Sequence, residues 1–303
     1  MTEFSKRILE SYQVRKTKKQ KTAFIDFMKT QIPELKVEEE KFPKCRNLVV
    51  GDLVGARVVF TAHYDTCAAL PVPNLITPKN ILFTLLYGIL LVIPLLALSV
   101  GATFLVGFLT SSFWLSYFTF LIVMLGLASL MIVGKPNKHT VNDNTSGVIT
   151  LCELMEALSE EQRAKAAFVF FDHEETGLLG SSIFRIHHKE EMQDKLLINF
   201  DCVSDGDHLM LVLSKKAEPQ YRACVEAAFP PQEGKEILIE KAAKVFYPSD
   251  QMGFPQTIAA CALKKSKVLG LYMDRIHTRR DTVMDEQNIE IFCSGMKALT
   301  EIL

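Results

Sequence analysis

What the sequence has little of narrows it first. Its 303 residues carry a formal net charge of only −1, so it has no bulk positive field, and nucleic acid is not an expected partner. Its seven cysteines, Cys45, Cys67, Cys152, Cys202, Cys224, Cys261 and Cys293, are odd in number and include no CxxC pair. That argues against a disulfide framework or a thiolate zinc site and for reduced thiols in a reducing compartment. The N-terminus, MTEFSKRILESYQVRKTKK, lacks the continuous apolar core of a signal peptide, so it is expected to stay in the cytoplasm. There is no internal repeat and no low-complexity linker. Most unusual is the stretch between Lys79 and Lys135, which has no charged side chain at all.

That stretch is dominated by Leu, Ile, Val and Phe. A membrane span needs about 20 apolar residues, so the run is read as two spanning helices, at 81–108 and 113–133, joined by a turn at 109–112. Pro94 is tolerable inside such a helix, where neighbouring groups satisfy the freed carbonyl. A hydrophobic hairpin buried in a soluble core is the competing reading, but soluble helices seldom run so long without a polar face. Lys79, Lys135 and Lys138 flank the hairpin and its turn has no charge, which by the positive-inside bias puts both flanks on the cytoplasmic side. The expectation is a multi-pass cell-membrane protein with two spans and both termini cytoplasmic. Small residues at Gly101, Gly107, Gly126, Ala128 and Ser129 would suit contact between copies in a homo-oligomer. Arg15, Lys16, Lys18, Lys19 and Lys21 form a dense positive run, read either as a solvated helix face or as a surface for anionic lipid headgroups.

With 78–136 set aside as an insertion, 1–77 and 137–303 read as one discontinuous domain. Residues 5–31 are expected as one amphipathic helix stopped by Pro33. RNLVVGDL and ARVVFTAHYD read as strands around a glycine turn. Beyond the hairpin, SGVITLCELMEAL has helical spacing, AAFVFF, LLINFD and HLMLVL read as strands, and 217–229 as a helix. VLGLYM is expected as a strand, and Asp285 as the cap of a last helix reaching Leu303. Strands alternating with helices imply an α/β fold, a mostly parallel mixed sheet flanked by helices.

Three of those strands end in residues a metal would want. VVFTA runs into His63 and Asp65, FVFFD into Glu174 and Glu175, and LLINF into Asp201. In open α/β sheets the functional crevice lies at the carboxyl ends of strands. Asp143 sits in a polar loop before a helix, and His277 follows the VLGLYM strand. Two imidazoles, several carboxylates and no thiolate suit a hydrolytic zinc pair better than a structural zinc. Singly, each residue has a plainer reading: Asp143 as a helix cap, the glutamates as surface charge, His63 as a buried structural histidine.

Six pieces taken together are distinctive: AHYDT at 62–66, NDNTSG at 142–147, FVFFDHEETGLLGS at 168–181, LLINFD at 196–201, SDQMGFP at 249–255 and IHTRRDT at 276–282. In this order they resemble the M28 family of zinc peptidases, which includes aminopeptidases and glutaminyl cyclases. The resemblance implies a zinc-exopeptidase-like fold of the phosphorylase/hydrolase-like kind. It implies two Zn²⁺ ions, or another divalent transition metal: His63, Asp143 and Asp201 on one, and Asp143, Glu175 and His277 on the other, with Asp143 bridging. Glu174 would be the general acid/base, and Asp65 would support His63 from behind. Asp250 matches a family position near the site without an assigned role. Tyr247 and Tyr272 are candidates for stabilising the oxyanion, whereas Cys67 and Cys202 are read as packing residues.

The function expected is therefore a membrane-anchored dizinc aminopeptidase with a cytoplasmic catalytic domain, acting on peptides that include hydrophobic or membrane-associated ones. The alternatives are a glutaminyl cyclase, which is an acyltransferase, and an inactive scaffold. The hairpin is read either as an anchor and oligomerisation surface or as a device that delivers substrate.

Overall fold

A computed structural model describes residues 1–41, 44–70 and 72–303; Pro71, in the connector to the hairpin, lies outside them. Strands β3 (Val58–His63), β4 (Ala166–Phe171) and β5 (Leu196–Phe200) are buried along their whole length. Their near-continuous runs of Val, Phe, Leu and Ile suit strands covered on both faces. With β8 (Thr257–Ser266) they form the parallel centre of the sheet, in the order β4-β3-β5-β8. Antiparallel pairs flank it. On one side β2 (Lys44–Val50) joins β4, with β1 (Lys36–Lys41) outside it. On the other, β6 (His208–Leu213) joins β8, β7 (Glu236–Lys241) runs parallel to β6, and the short β9 (Gly270–Tyr272) pairs with the end of β8. Helices cover both faces, as expected of an α/β fold. Against one pack α1 (Glu3–Ser11), α2 (Lys18–Gln31), α5 (Gly147–Ala157), α8 (Ala217–Ala228) and α9 (Glu286–Ile302), which contribute Ile8, Phe24, Val148, Val225 and Phe292 to one core. The short α6 (Glu160–Ala164) leads into β4. Phe184 of α7 (Leu179–His187) packs against the other face, with Phe171 and Phe254.

Several local expectations change. The N-terminal helix is two helices, because Thr17 caps α2 in a capping box with Gln20 and the chain between them carries Arg15 into the interior. The positive run therefore splits: Arg15 and Lys21 are buried, Lys21 pairing with Asp172 at 2.5 Å, while Lys18 and Lys19 stay exposed. Neither a solvated face nor a lipid surface describes the run as a whole. The two strands around Gly51 are not neighbours, since β4 lies between them. VLGLYM supplies only the short β9, and the longer β8 precedes it. The last helix starts at its Asp285 cap as read, with the Asp285 side chain accepting from the Gln287 N–H.

The charge-free stretch forms α3 (Ile81–Thr110) and α4 (Phe113–Val133). Both are long and apolar enough to cross a membrane, and neither is buried in the domain. Phe104, Phe108, Ile122 and Val133 are each at least 70% exposed, which removes the reading of a hairpin buried in a soluble core. Ser111, in the left-handed region, and Ser112, the cap of α4, make the turn. Gly107 faces Ser116 across the hairpin, whereas Gly101 and Gly126 face open space. At the base the two legs are clasped by an antiparallel bridge between Ala68 and Pro136, with the Ala69 N–H donating to Lys135 O.

Candidate metal centre

The parallel centre sends its strand ends to one edge of the sheet, and the acids and histidines gather there. His63 is the last residue of β3, Glu174 and Glu175 lie in the loop after β4, and Asp201 follows β5. Asp143 comes from the loop entering α5, and His277 from the loop after β9. The approach is close: a Cβ on Gly147, the first residue of α5, would stand 2.5 Å from Phe200 O, so only glycine lets this loop meet the end of β5.

Asp143 is the hinge of the arrangement. Its Oδ1 lies 3.3 Å from His63 Nε2 and its Oδ2 lies 2.9 Å from His277 Nε2. His63 Nε2 is also 3.6 Å from Asp201 Oδ1, and His277 Nε2 is 3.3 Å from Glu175 Oε2. His63, Asp143 and Asp201 bring their donor atoms within 4.8 Å of one another, whereas on the other side Asp143 and Glu175 each approach His277, and Glu175 and His277 close a second group with Cys67. Atoms each about 2.0–2.1 Å from one tetrahedral zinc stand roughly 3.3 Å apart, which matches these separations. Glu175 Oε1 is buried without a hydrogen-bond partner, the mark of a carboxylate made for something other than protein donors. The donors are all nitrogen and carboxylate oxygen, a set that fits zinc.

Surrounding groups hold these residues in place. His63 Nδ1 donates to Asp65 O at 3.1 Å, which turns Nε2 towards Asp143 and Asp201. The Asp65 carboxylate is 3.7 Å from that ring and does something else: it accepts from the Glu174 N–H at 2.9 Å and the Glu175 N–H at 3.3 Å. Asp65 thereby fixes the glutamate loop as well as His63. Asp281 does the same for the bridging loop, accepting from the Asn142 N–H at 2.7 Å and the Asp143 N–H at 3.1 Å. Asp281 had no role on sequence grounds, although it stands four residues after His277 in a motif already singled out. Asn144 ties the same loop to the end of β5, donating to Phe200 O at 2.9 Å. Arg15, wholly buried, donates to Tyr64 O and Tyr12 O, each at 2.5 Å, and to Thr145 Oγ1 at 3.1 Å.

The electrostatics are those of a site with too many carboxylates for its two histidines. Burial pushes Glu175 up to about 8, with His277 opposing and Asp143 adding to the rise. Burial, with Glu175 and Asp250 beside it, holds Glu174 well above the usual carboxylate range. Burial works against His277, but Glu175 and Asp143 outweigh it and raise the imidazole to about 9. Asp143 goes the other way: despite burial, hydrogen bonds from His277 and His63 keep it below the ordinary range. A divalent ion held by these residues would reverse the balance by displacing protons.

A cleft of about 170 Å³ exposes the site. It is lined by His63, Asp143, Glu174, Glu175, Asp201 and His277, together with Asn74 and Ile76 of the connector and Tyr247 and Pro248. Of the two tyrosine candidates, Tyr247 reaches the cleft, its hydroxyl donating to Asp201 O at 3.0 Å; Tyr272 instead lies under the Lys264 ammonium. Cys202 donates its thiol to Asp201 Oδ1 at 3.1 Å, whereas the Cys67 thiol, read from the sequence as a packing residue, stands within 4.8 Å of ligand atoms of Glu175 and His277. Asp250 is fully buried with neither carboxylate oxygen partnered.

Residues 129–293, more than half of the chain, match the family model described as peptidase family M28. The match takes in Asp143, Glu174, Glu175, Asp201 and His277 but begins beyond His63 and Asp65, which reach the site through the fold. No curated protein sequence matches the chain. Among solved structures it is similar to a Porphyromonas gingivalis glutaminyl cyclase, at 15% identity and a TM-score of 0.59, over 99% of this chain and 96% of that one. It is similar to a Zn-dependent exopeptidase of Parabacteroides distasonis, at 12% identity and a TM-score of 0.57, over 98% and 94%. It is also similar to the LapA aminopeptidase of Legionella pneumophila, at 12% identity and 0.56, over 98% and 69%. These likenesses share the fold: a mixed sheet flanked by helices, of the zinc-exopeptidase kind.

Proposed function

Because the chain belongs to peptidase family M28, we propose that it is a dizinc aminopeptidase, anchored in a membrane by α3 and α4. The observation that carries the reading is Asp143, whose two oxygens face two different histidines while Glu174 stands beside the same cleft. His63, Asp143 and Asp201 would hold one zinc, and Asp143, Glu175 and His277 the other. When bound, such a pair polarises the scissile carbonyl and acidifies a water molecule. Glu174, the one glutamate of the two left outside these ligand sets, takes the proton from that water and delivers it to the departing amine. Burial with Glu175 and Asp250 beside it holds Glu174 above the usual carboxylate range in the metal-free site. Asp65 acts through the backbone of Glu174 and Glu175, so it is a positioning residue. The cleft, at about 170 Å³, is smaller than the roughly 300–1,000 Å³ of ordinary ligand pockets and suits the end of a peptide better than its middle.

Lys79, Lys135 and Lys138 on the hairpin's flanks and seven unpaired cysteines support a cytoplasmic catalytic domain. Gly101 and Gly126, open on the hairpin surface, would be the contact points of a second copy. A ligand set for two metals would favour hydrolysis over the cyclase chemistry of an otherwise similar fold, and over a scaffold with no need of metal. The test uses the full chain, purified with zinc and incubated with short peptides. Release of the N-terminal residue is expected, and Glu174→Gln should abolish it while zinc content stays at two per chain. Turnover persisting in Glu174→Gln would sink the mechanism. Loss of ammonia from an N-terminal Gln peptide without shortening would make the protein a cyclase.

A further inference from the structure

The two hairpin helices differ in length, and the difference falls beside the metal cleft. Ser99 Oγ meets Met124 Sδ at 3.8 Å and Gly107 faces Ser116. Both pairings put Val133, the last residue of α4, level with about Leu90. The first turns of α3, Ile81 to Ile89, thus extend about 13 Å beyond α4 at 1.5 Å per residue. At the same rise α4 is roughly 32 Å long, which already matches a bilayer core of about 30 Å. With α4 filling the core, the extra turns of α3 would stand above it, on the side of the catalytic domain.

One face of this extension is engaged. Thr84 Oγ1 lies 2.8 Å from Thr77 Oγ1, and the Tyr87 hydroxyl donates to Pro73 O at 2.6 Å, so the helix is held against the connector. The remaining face carries Leu82, Leu85, Leu86 and Ile89, spaced as one helical stripe and between 55% and 65% exposed. Next to it lies a groove of about 290 Å³ whose walls are Pro78, Ile81, Val245 and Phe246, with Lys79 and Lys244 at its rim. There the Phe246 N–H donates to Pro78 O at 2.9 Å. From that point the next residues on both chains line the cleft: Tyr247 and Pro248 on one, Ile76 and Asn74 on the other.

We propose that the stripe and the groove are a ramp for substrate, and that the substrate is the N-terminal tail of a polypeptide anchored in the same bilayer. The occupant has to be apolar, has to emerge from the membrane beside α3, and has to end at the metals. A tethered chain meets all three conditions, whereas the bilayer itself stops near the end of α4. From the core to Ile81 the tail climbs about 13 Å, four or more residues of extended chain. This rests on the peptidase and membrane reading above.

The experiment uses the full chain in lipid nanodiscs with zinc and two peptides sharing one N-terminal sequence. One ends freely and the other continues into an apolar helix of about 20 residues. The tethered peptide should be shortened with a kcat/KM about tenfold or more above the free one, the gain that confinement to one surface supplies. Leu85→Gln combined with Leu86→Gln should lower that ratio severalfold, towards what confinement alone leaves. If the double variant keeps the full ratio, partition into lipid alone explains it and the ramp is overturned. A change of oligomeric state in the double variant overturns it as well, since the stripe then belongs to a second copy. If neither peptide is shortened, the peptidase reading fails. Photo-crosslinking of the tethered peptide to Leu85 or Phe246, done with Glu174→Gln, then decides the ramp separately: crosslinks support it and their absence overturns it.

Discussion

Replacing Asp65 by Asn keeps the shape of the side chain and removes its charge, at a residue only 2% exposed. In the native site each carboxylate oxygen accepts a different backbone N–H, from Glu174 at 2.9 Å and from Glu175 at 3.3 Å. Hydrogen bonds to a charged group contribute about 1.5–3 kcal/mol each. An amide has one acceptor, so its NH₂ has to face one of the two N–H groups, and that bond is lost with no water to replace it. A net loss of about 2 kcal/mol follows, softened in the metal-free protein because one member of an acidic cluster is discharged. The glutamate loop then no longer holds Glu175 for its metal or Glu174 over the cleft. Loss of such a supporting contact costs about 10–100-fold in metal affinity or activity. Zinc affinity measured by competition with a chromophoric chelator should fall by that factor, and Asp65→Ala, which loses both acceptors, should fall further. Turnover at saturating zinc should also drop, since Glu174 is displaced whether or not metal is present. Wild-type zinc affinity together with wild-type turnover in Asp65→Asn would refute the reasoning.

In the metal-free site Glu175 titrates at about 8 and His277 at about 9, so both carry a proton at pH 7, and zinc has to expel them. Calorimetry in buffers of different ionisation enthalpy should show net proton release at pH 7 and tighter binding as pH rises to about 9; buffer-independent heats would contradict this. Arg15→Met should lower stability by about 1–3 kcal/mol for a buried acceptor left without its donor, because Tyr64 O, Tyr12 O and Thr145 Oγ1 lose theirs. Urea denaturation of the detergent-solubilised protein measures it, and a change under about 1 kcal/mol would show that the guanidinium is not the clamp.

Much of the fold was legible because the signals are strong where burial is complete. AAFVFF, LLINF and VVFTAH are continuous apolar runs, and each is a central strand buried on both faces. β1 and β7 escaped notice because KVEEEK and EILIEK are edge strands, rich in charge as unpaired edges require. β8 escaped because TIAACALKKS is built on alanine and cysteine, residues with little strand preference of their own. The break between α1 and α2 has no proline or glycine to announce it. A buried Arg15 makes it, and burial of an arginine in the middle of a basic run is a property of the partners around it.

The sequence by itself determined the chemistry on offer: two imidazoles, a set of carboxylates at strand ends, and an apolar run too long and too uncharged for a soluble core. Residue type and period suffice for such statements, because they depend on local backbone geometry and on transfer from water. Only the tertiary structure decided how those groups are used. It turned the Asp65 carboxylate towards the Glu174 and Glu175 backbone rather than towards His63, and recruited Asp281 to the bridging loop. It also let α3 overrun α4 beside the cleft. Each of these depends on which distant segments meet and at what register, and directional hydrogen bonds and helix pairing are set by that meeting alone.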